Sequence, residues 1–174
     1  MKIHRILILV GQDRPGIVDE VSTLLYDAGA NIEDSRMAVL GGCFSIMALF
    51  SCTPDRLEGI QTDLQQLEEK GFQTLLHQAA DPMIQRGDPA LPLRLEIQSM
   101  DHPGIVQKIV RLLHDHEVNI VSLDTQISHA PVSGTPLFDL TLAAEVPAAK
   151  SIAGIKSALA GLAEELDLNL LYHR

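Results

Sequence analysis

The segment Asp13-Arg14-Pro15-Gly16-Ile17-Val18 returns 88 residues later as Asp101-His102-Pro103-Gly104-Ile105-Val106. Asn31-Ile32 returns at the same offset as Asn119-Ile120. Between these landmarks the apolar residues of the first copy fall at 17, 18, 21, 24, 25 and 28. Those of the second fall at 105, 106, 109, 112 and 113, with His116 in place of Ala28. Such spacing marks one face of an α-helix. A chain of 174 residues that repeats itself at this interval is two copies of one small unit in tandem.

Each copy parses into six elements. In the first, Arg5–Val10 is a strand and residues 11–14 a loop. Pro15 suits the first helical position, where its missing N–H costs nothing, and Asp19 and Glu20 follow in the first turn, where the helix dipole favours anions. Gly29 is a left-handed stop. Strands 31–40 and 43–52 form a hairpin turning at Gly41-Gly42. Pro54 opens a second helix carrying Leu57, Ile60, Leu64 and Leu67, and Gly71 closes it before a last strand, 72–77. The second copy repeats the order: strand 92–99, helix 103–116, strands 118–128 and 136–146, helix 148–165 with Ile152, Ile155, Leu159 and Leu162, strand 167–173. Only the hairpin differs, lengthened by Ala130–Thr135 into a mobile loop. Pro82, Gly87, Pro89 and Pro92 mark a linker. The expected domains are therefore 1–79 and 92–174, with 80–91 between them. The order βαββαβ, twice, is the ferredoxin-like α+β plan. Each unit is then a four-stranded antiparallel sheet with both helices on one face and its first and third strands central.

The helix-free face differs between the copies. Leu93, Leu95 and Ile97 alternate with Arg94, Glu96 and Gln98, so the second copy turns a polar side away from its helices. The offset assigns Ile6, Ile8 and Val10 to that side in the first copy, with Met47 and Leu49 joining them opposite Thr141 and Ala143. An apolar patch of this kind calls for a cover: a partner subunit, the other domain or the linker.

Composition excludes several classes. A formal charge of −10 and a pI near 5.0 oppose a grip on nucleic-acid phosphates. Two tyrosines, four phenylalanines and no tryptophan supply few base-stacking platforms. No apolar run approaches the roughly 20 residues of a membrane helix, and the N-terminus turns polar too soon for a signal peptide. Cys43 and Cys52, inside apolar segments, read as reduced core thiols of a cytoplasmic protein. His114 and His116, two apart on a helix, point to different sides and suit no metal. No nucleophile elbow, metalloprotease motif, phosphate loop or dinucleotide fingerprint is present, and neither an enzyme nor a cofactor is expected.

The Pro-Gly turns are the candidate site. The amides of Gly16, Ile17 and Val18, and of Gly104, Ile105 and Val106, are helix-start donors suited to a carboxylate. Asp13 and Asp101, just ahead, are placed to receive an ammonium group or to fix the loop. Arg14 and His102 occupy equivalent positions with different chemistry, a permanent cation in the first copy and an imidazole in the second. Asn31 and Asn119 begin a strand parallel to the first, so each lies at the far end of the sheet from its own turn. Antiparallel pairing of two units would bring Asn31 to the Asp101 turn and Asn119 to the Asp13 turn, where an amide both donates and accepts.

DRPGIV…GANI and DHPGIV…EVNI resemble the ACT domain, a regulatory amino-acid-binding module with the βαββαβ plan. Both halves match, and a free-standing tandem pair of this length is similar to the glycine cleavage system transcriptional repressor group. The resemblance implies a small amino acid held between modules by the helix-opening turn of one and the strand-start asparagine of another. It also implies control of transcription through a DNA-binding regulator protein, without direct DNA contact, and is compatible with a homodimer. A ligand-free interaction scaffold is the main rival. An acylphosphatase-like hydrolase using Arg14 is weaker, because the second copy has His102 there.

Overall fold

The computed structural model describes residues 2–82, 89–130 and 133–173. The chain divides into two compact units, residues 1–86 and 87–174. The first contains β1 (Ile3–Gln12), α1 (Ile17–Asp27), β2 (Asn31–Leu40), β3 (Cys43–Cys52), a 3₁₀ turn at Pro54–Arg56, α2 (Leu57–Glu69) and β4 (Gln73–Ala79). The second contains β5 (Ala90–Met100), α3 (Ile105–Asp115), β6 (Asn119–His129), β7 (Pro136–Pro147), α4 (Ile152–Leu166) and β8 (Asn169–His173). Each unit is an α+β ferredoxin-like domain, with strand orders β2-β3-β1-β4 and β6-β7-β5-β8 and every neighbouring pair antiparallel.

Alternation decides which face each strand buries. In the first sheet Leu7, Leu9, Phe44, Ile46, Ala48 and Phe50 point to the helices and meet Ile17, Val21 and Leu25 of α1 and Ile60, Leu64 and Leu67 of α2. In the second, Leu93, Leu95, Ile97, Leu140 and Leu142 meet Ile105, Ile109 and Leu113 of α3 and Ile155 and Leu159 of α4. Ile6, Ile8 and Val10 consequently face away from the helices, level with Leu49, Met47 and Ser45.

The hairpins explain where the repeat loses register. Gln12 lies opposite Cys43 and Met100 opposite Leu137, an offset of 94 instead of 88. Gly41 and Gly42, with φ of 59° and 79°, supply the two left-handed residues of a tight turn. The longer second hairpin closes through Ala130 N–H donating to Thr135 O at 2.9 Å, while residues 131–132 of its expected loop lie outside the described residues. So do 83–88 of the expected linker.

Local corrections have simple causes. β5 begins at Ala90, inside the expected linker, because β7 runs to Pro147 and pairs with it throughout. Pro92 is tolerated there because, among the described residues, β8 pairs with β5 from Arg94 to Gln98 and not at Pro92. Pro54 opens the 3₁₀ turn, and α2 starts only at Leu57. Cys43 is exposed, since it precedes the core residue Phe44 and so points to the other face; Cys52 is buried, and burial pushes its thiol pKa up.

Candidate ligand-binding turns

Both Pro-Gly turns bend the same way. Gly16 has φ 89° and ψ −3°, and Gly104 φ 100° and ψ −7°, the left-handed second position of a type II turn with proline before it. A Cβ at either glycine would meet nothing, so backbone conformation rather than crowding demands glycine. Pro15 and Pro103 therefore precede the helix cap and do not occupy the first helical position, because the left-handed glycine intervenes. The first helical bonds run from Glu20 N–H to Gly16 O at 2.9 Å and from Lys108 N–H to Gly104 O at 3.0 Å. Neither helix start has a side-chain cap, whereas Ser151 caps α4 by accepting from Gly154 N–H at 3.2 Å. The turns are tied at their bases, Asp13 N–H donating to Gly42 O at 3.0 Å and Asp101 N–H to Pro136 O at 3.4 Å.

What each residue can offer follows from its direction. The side chains of Ile17 and Ile105 are core residues, so only their amides are available at the turns. Val18 and Val106 are 45% and 37% exposed beside the turns. Around the first turn, Arg14 donates to Glu20 Oε2 at 2.5 Å and lies 5.4 Å over the Phe72 ring, while Lys70 pairs with the other Glu20 oxygen. Lys70 and Arg14 together hold the Glu20 carboxyl below its ordinary pKa. Phe72 in turn covers Gly11, where an added Cβ would stand 2.3 Å from the ring. Around the second turn the charges change places. Lys108 holds the position of Glu20 and pairs with Glu165 at 2.9 Å, and His102 Nδ1 lies 3.3 Å from Pro103 O. Glu20, Lys70 and Phe72 were not among the sequence candidates. Only Glu20 left a trace, as an acid in the first helical turn.

The asparagines stand apart from these turns within their own domains. Asn31 lies opposite Ser51, level with His4, and Asn119 opposite Glu145, level with Pro92. Nine residues of β1 or β5 separate those levels from the turns, about 30 Å at ~3.3 Å per residue. In both sheets a β-bulge follows the Asn-Ile pair, between Ile32 and Asp34 and between Ile120 and Ser122. An extra residue there re-aims the strand. In the first domain it brings Glu33 within 3.4 Å of His4, and Asn31 borders a hollow of about 430 Å³ with Ser22, Thr23 and Tyr26. Asn119 Nδ2 lies 3.5 Å from Glu145 Oε2, the outer limit of a hydrogen bond.

Among the described residues no group of three or more His, Cys, Asp or Glu side chains could hold a metal ion. Nor is any helix among them long and apolar enough to cross a membrane.

Comparison with known proteins agrees with this architecture. Residues 4–76 match the ACT domain. The chain is 28% identical over 166 residues to the glycine cleavage system transcriptional repressor of Escherichia coli (strain K12), covering 94% of this chain and 86% of that protein. A crystal structure of an unknown protein from Galdieria sulphuraria superposes with a TM-score of 0.85 at 28% identity, covering 99% of this chain and 98% of that one. A second, provisionally described as a glycine cleavage system transcriptional repressor, gives 0.70 at 25% identity over 99% and 97%. The first domain thus matches the ACT domain, and the chain as a whole is similar in sequence and fold to the glycine cleavage system transcriptional repressors.

Proposed function

We propose that this chain is a non-enzymatic regulatory protein that binds a small, glycine-like amino acid and thereby modulates a transcriptional regulator. The regulatory role is supported by the ACT domain match and by the similarity to the Escherichia coli repressor. One observation carries the ligand reading: two helix starts, related by the repeat, are built with a left-handed glycine and no side-chain cap. Their first amides are free to receive a carboxylate, and the positive end of the helix dipole favours one. Asp13 or Asp101 would receive the ammonium group, and Arg14 or His102 would border the pocket. Asn31 and Asn119 lie too far from their own turns to share a ligand with them. Each would act on a ligand held by a neighbouring module, donating and accepting through its amide. Occupancy would then change how modules pair, provided the ligand prefers one pairing over another. The regulator would be a DNA-binding protein partner, consistent with a net charge of −10 that disfavours direct contact with DNA.

Arg14 is committed to Glu20 and Phe72, which argues against its holding a phosphate as a hydrolase would require. Calorimetric titration of the full chain with glycine, serine and the branched-chain amino acids tests the reading. A saturable heat for at least one of them is expected, weakened at least tenfold by Asn31→Ala or Asn119→Ala and by Asp13→Ala or Asp101→Ala. No heat and no thermal shift with any of them would return the chain to a ligand-free scaffold. Acyl phosphate turnover abolished by Arg14→Ala would overturn the non-enzymatic reading. Copurification of a DNA-binding protein, released or recruited by the amino acid that gives heat, is the expected partner result.

A further inference from the structure

We propose that the helix-free sheet face of the first domain is an interface, and that its occupant is the same face of a second copy of this chain. The face has an apolar centre: Ile6, Ile8 and Val10 on β1, Met47 and Leu49 on β3, and Leu75 on β4, level with Ile8. Met47 and Leu75 remain 49% and 52% exposed within the single chain. The border is polar and carries both signs of charge, with Asp34 and Arg36 on β2 joined at 2.5 Å, Lys2, Glu33 and Asp81 around its His4–Leu49 end, and His77 and Gln73 on β4. An apolar centre with a polar rim is the anatomy of a protein–protein interface.

Extent, charge and chemistry select this occupant. Four strands about 4.8 Å apart and about nine residues long make a face of roughly 19 by 30 Å, close to 600 Å². Two such faces together give about 1,200 Å², the lower bound for a specific, stable complex. A chain of net charge −10 repels its copies, but the charges bordering this face are of both signs and its centre is apolar, so self-association here adds little repulsion. The corresponding face of the second domain presents Glu96, Gln98, Asp139 and Thr141, with Gln98 and Ser128 donating to Asp139 and His173 paired with Glu96. Burying those groups against Ile8 and Met47 would strip their water without supplying partners. Asp81 and Pro82, the described start of the segment between the domains, border the His4–Leu49 end of the face and leave Met47 and Leu75 exposed. Of the two helix-free sheet faces, only a second first-domain face matches this one in both size and polarity. The pairing requires no bound amino acid.

Light scattering of the full chain tests it with two exposed substitutions, Met47→Asp and, on the second domain's face, Leu171→Asp at a residue 52% exposed. The wild type and Leu171→Asp should show twice the chain mass of 19.0 kDa, and Met47→Asp the single mass with an unchanged circular dichroism spectrum. Ile8→Cys, in a Cys43→Ser background, should cross-link to its own copy under mild oxidation, because Ile8 sits at the middle of the face. A wild type of single mass, or a Met47→Asp variant that keeps the double mass, overturns the proposal. Single mass together with an introduced thiol at position 8 that is shielded from alkylation would assign the face to another segment of the same chain and equally overturn it.

Discussion

The two domains share one backbone plan and fill it with different side chains. On β3 the helix-facing residues Ala48 and Phe50 are small then large; on β7 their counterparts Leu142 and Ala144 are large then small. Where the first domain has Ala30 ahead of β2, the second has the larger Val118 in the same core as Ala144. Gly11 under Phe72 becomes Ser99 with Leu168 in the equivalent places. The comparison teaches that turns and alternation specify this fold, while volume can move among neighbouring core positions so long as the total is kept.

The strongest way to break that comparison is to remove volume at one site without returning it nearby. Phe50 is fully buried, so Phe50→Ala should cost about 3–5 kcal/mol, seen as an early transition in denaturant unfolding. If volume is exchangeable between neighbours, Ala48→Leu added to Phe50→Ala should recover part of the loss, since the pair then copies Leu142 and Ala144. Failure of any recovery would show that each core is locked by its own helices. The next effect is smaller and has a sharper rescue. Gly11→Ser would put Cβ against the Phe72 ring, and overpacking of this kind costs about 1–3 kcal/mol. Phe72→Leu in the same chain recreates the Ser99 and Leu168 arrangement and should restore most of the stability.

These outcomes also mark how far the sequence can be read. The repeat, the strand and helix order and the helix-free apolar face were legible because they depend on period and on turn residues, which survive duplication. The Gly41-Gly42 turn, the left-handed stop at Gly29 and the helix end at Gly71 were legible for the same reason. The conformation of the Pro-Gly turns was half legible. Proline suggested a helix start, but a left-handed Gly16 moves the cap one residue on and leaves Pro15 outside. The bulges after Asn31-Ile32 and Asn119-Ile120 left no sign, since a bulge adds an unpaired residue without changing composition. Contacts between distant segments were also hidden, because nothing local connects Glu20 to Lys70, 50 residues away, or Gly11 to Phe72.

Charge gives the finest contrast between the domains, and pH is the probe that separates them. In the first, Lys70 and then Arg14 lower the Glu20 pKa from its ordinary 4.5. In the second, hydrogen bonds from Ser128 and then Gln98 lower that of Asp139 from 3.8. A depressed folded-state pKa means that the unfolded chain binds the proton first, so each carboxylate adds stability above its ordinary pKa and loses it as pH falls through the folded value. Stability in the first domain should therefore begin to fall from about pH 5 downward, and Glu20→Gln should flatten that limb by at most about 1 kcal/mol, as befits a partly exposed pair. Asp139→Asn should do the same for the second domain, by less and from a lower pH, because its donors are neutral and Asp139 starts from the lower ordinary value. Denaturant unfolding at pH 3.5 and pH 7 resolves both, using ~0.5 kcal/mol as the smallest difference worth counting. If Glu20→Gln and Asp139→Asn flattened the same transition, the two domains would be unfolding as one unit, and the exchange of core volume would have to be judged for the whole chain instead of domain by domain.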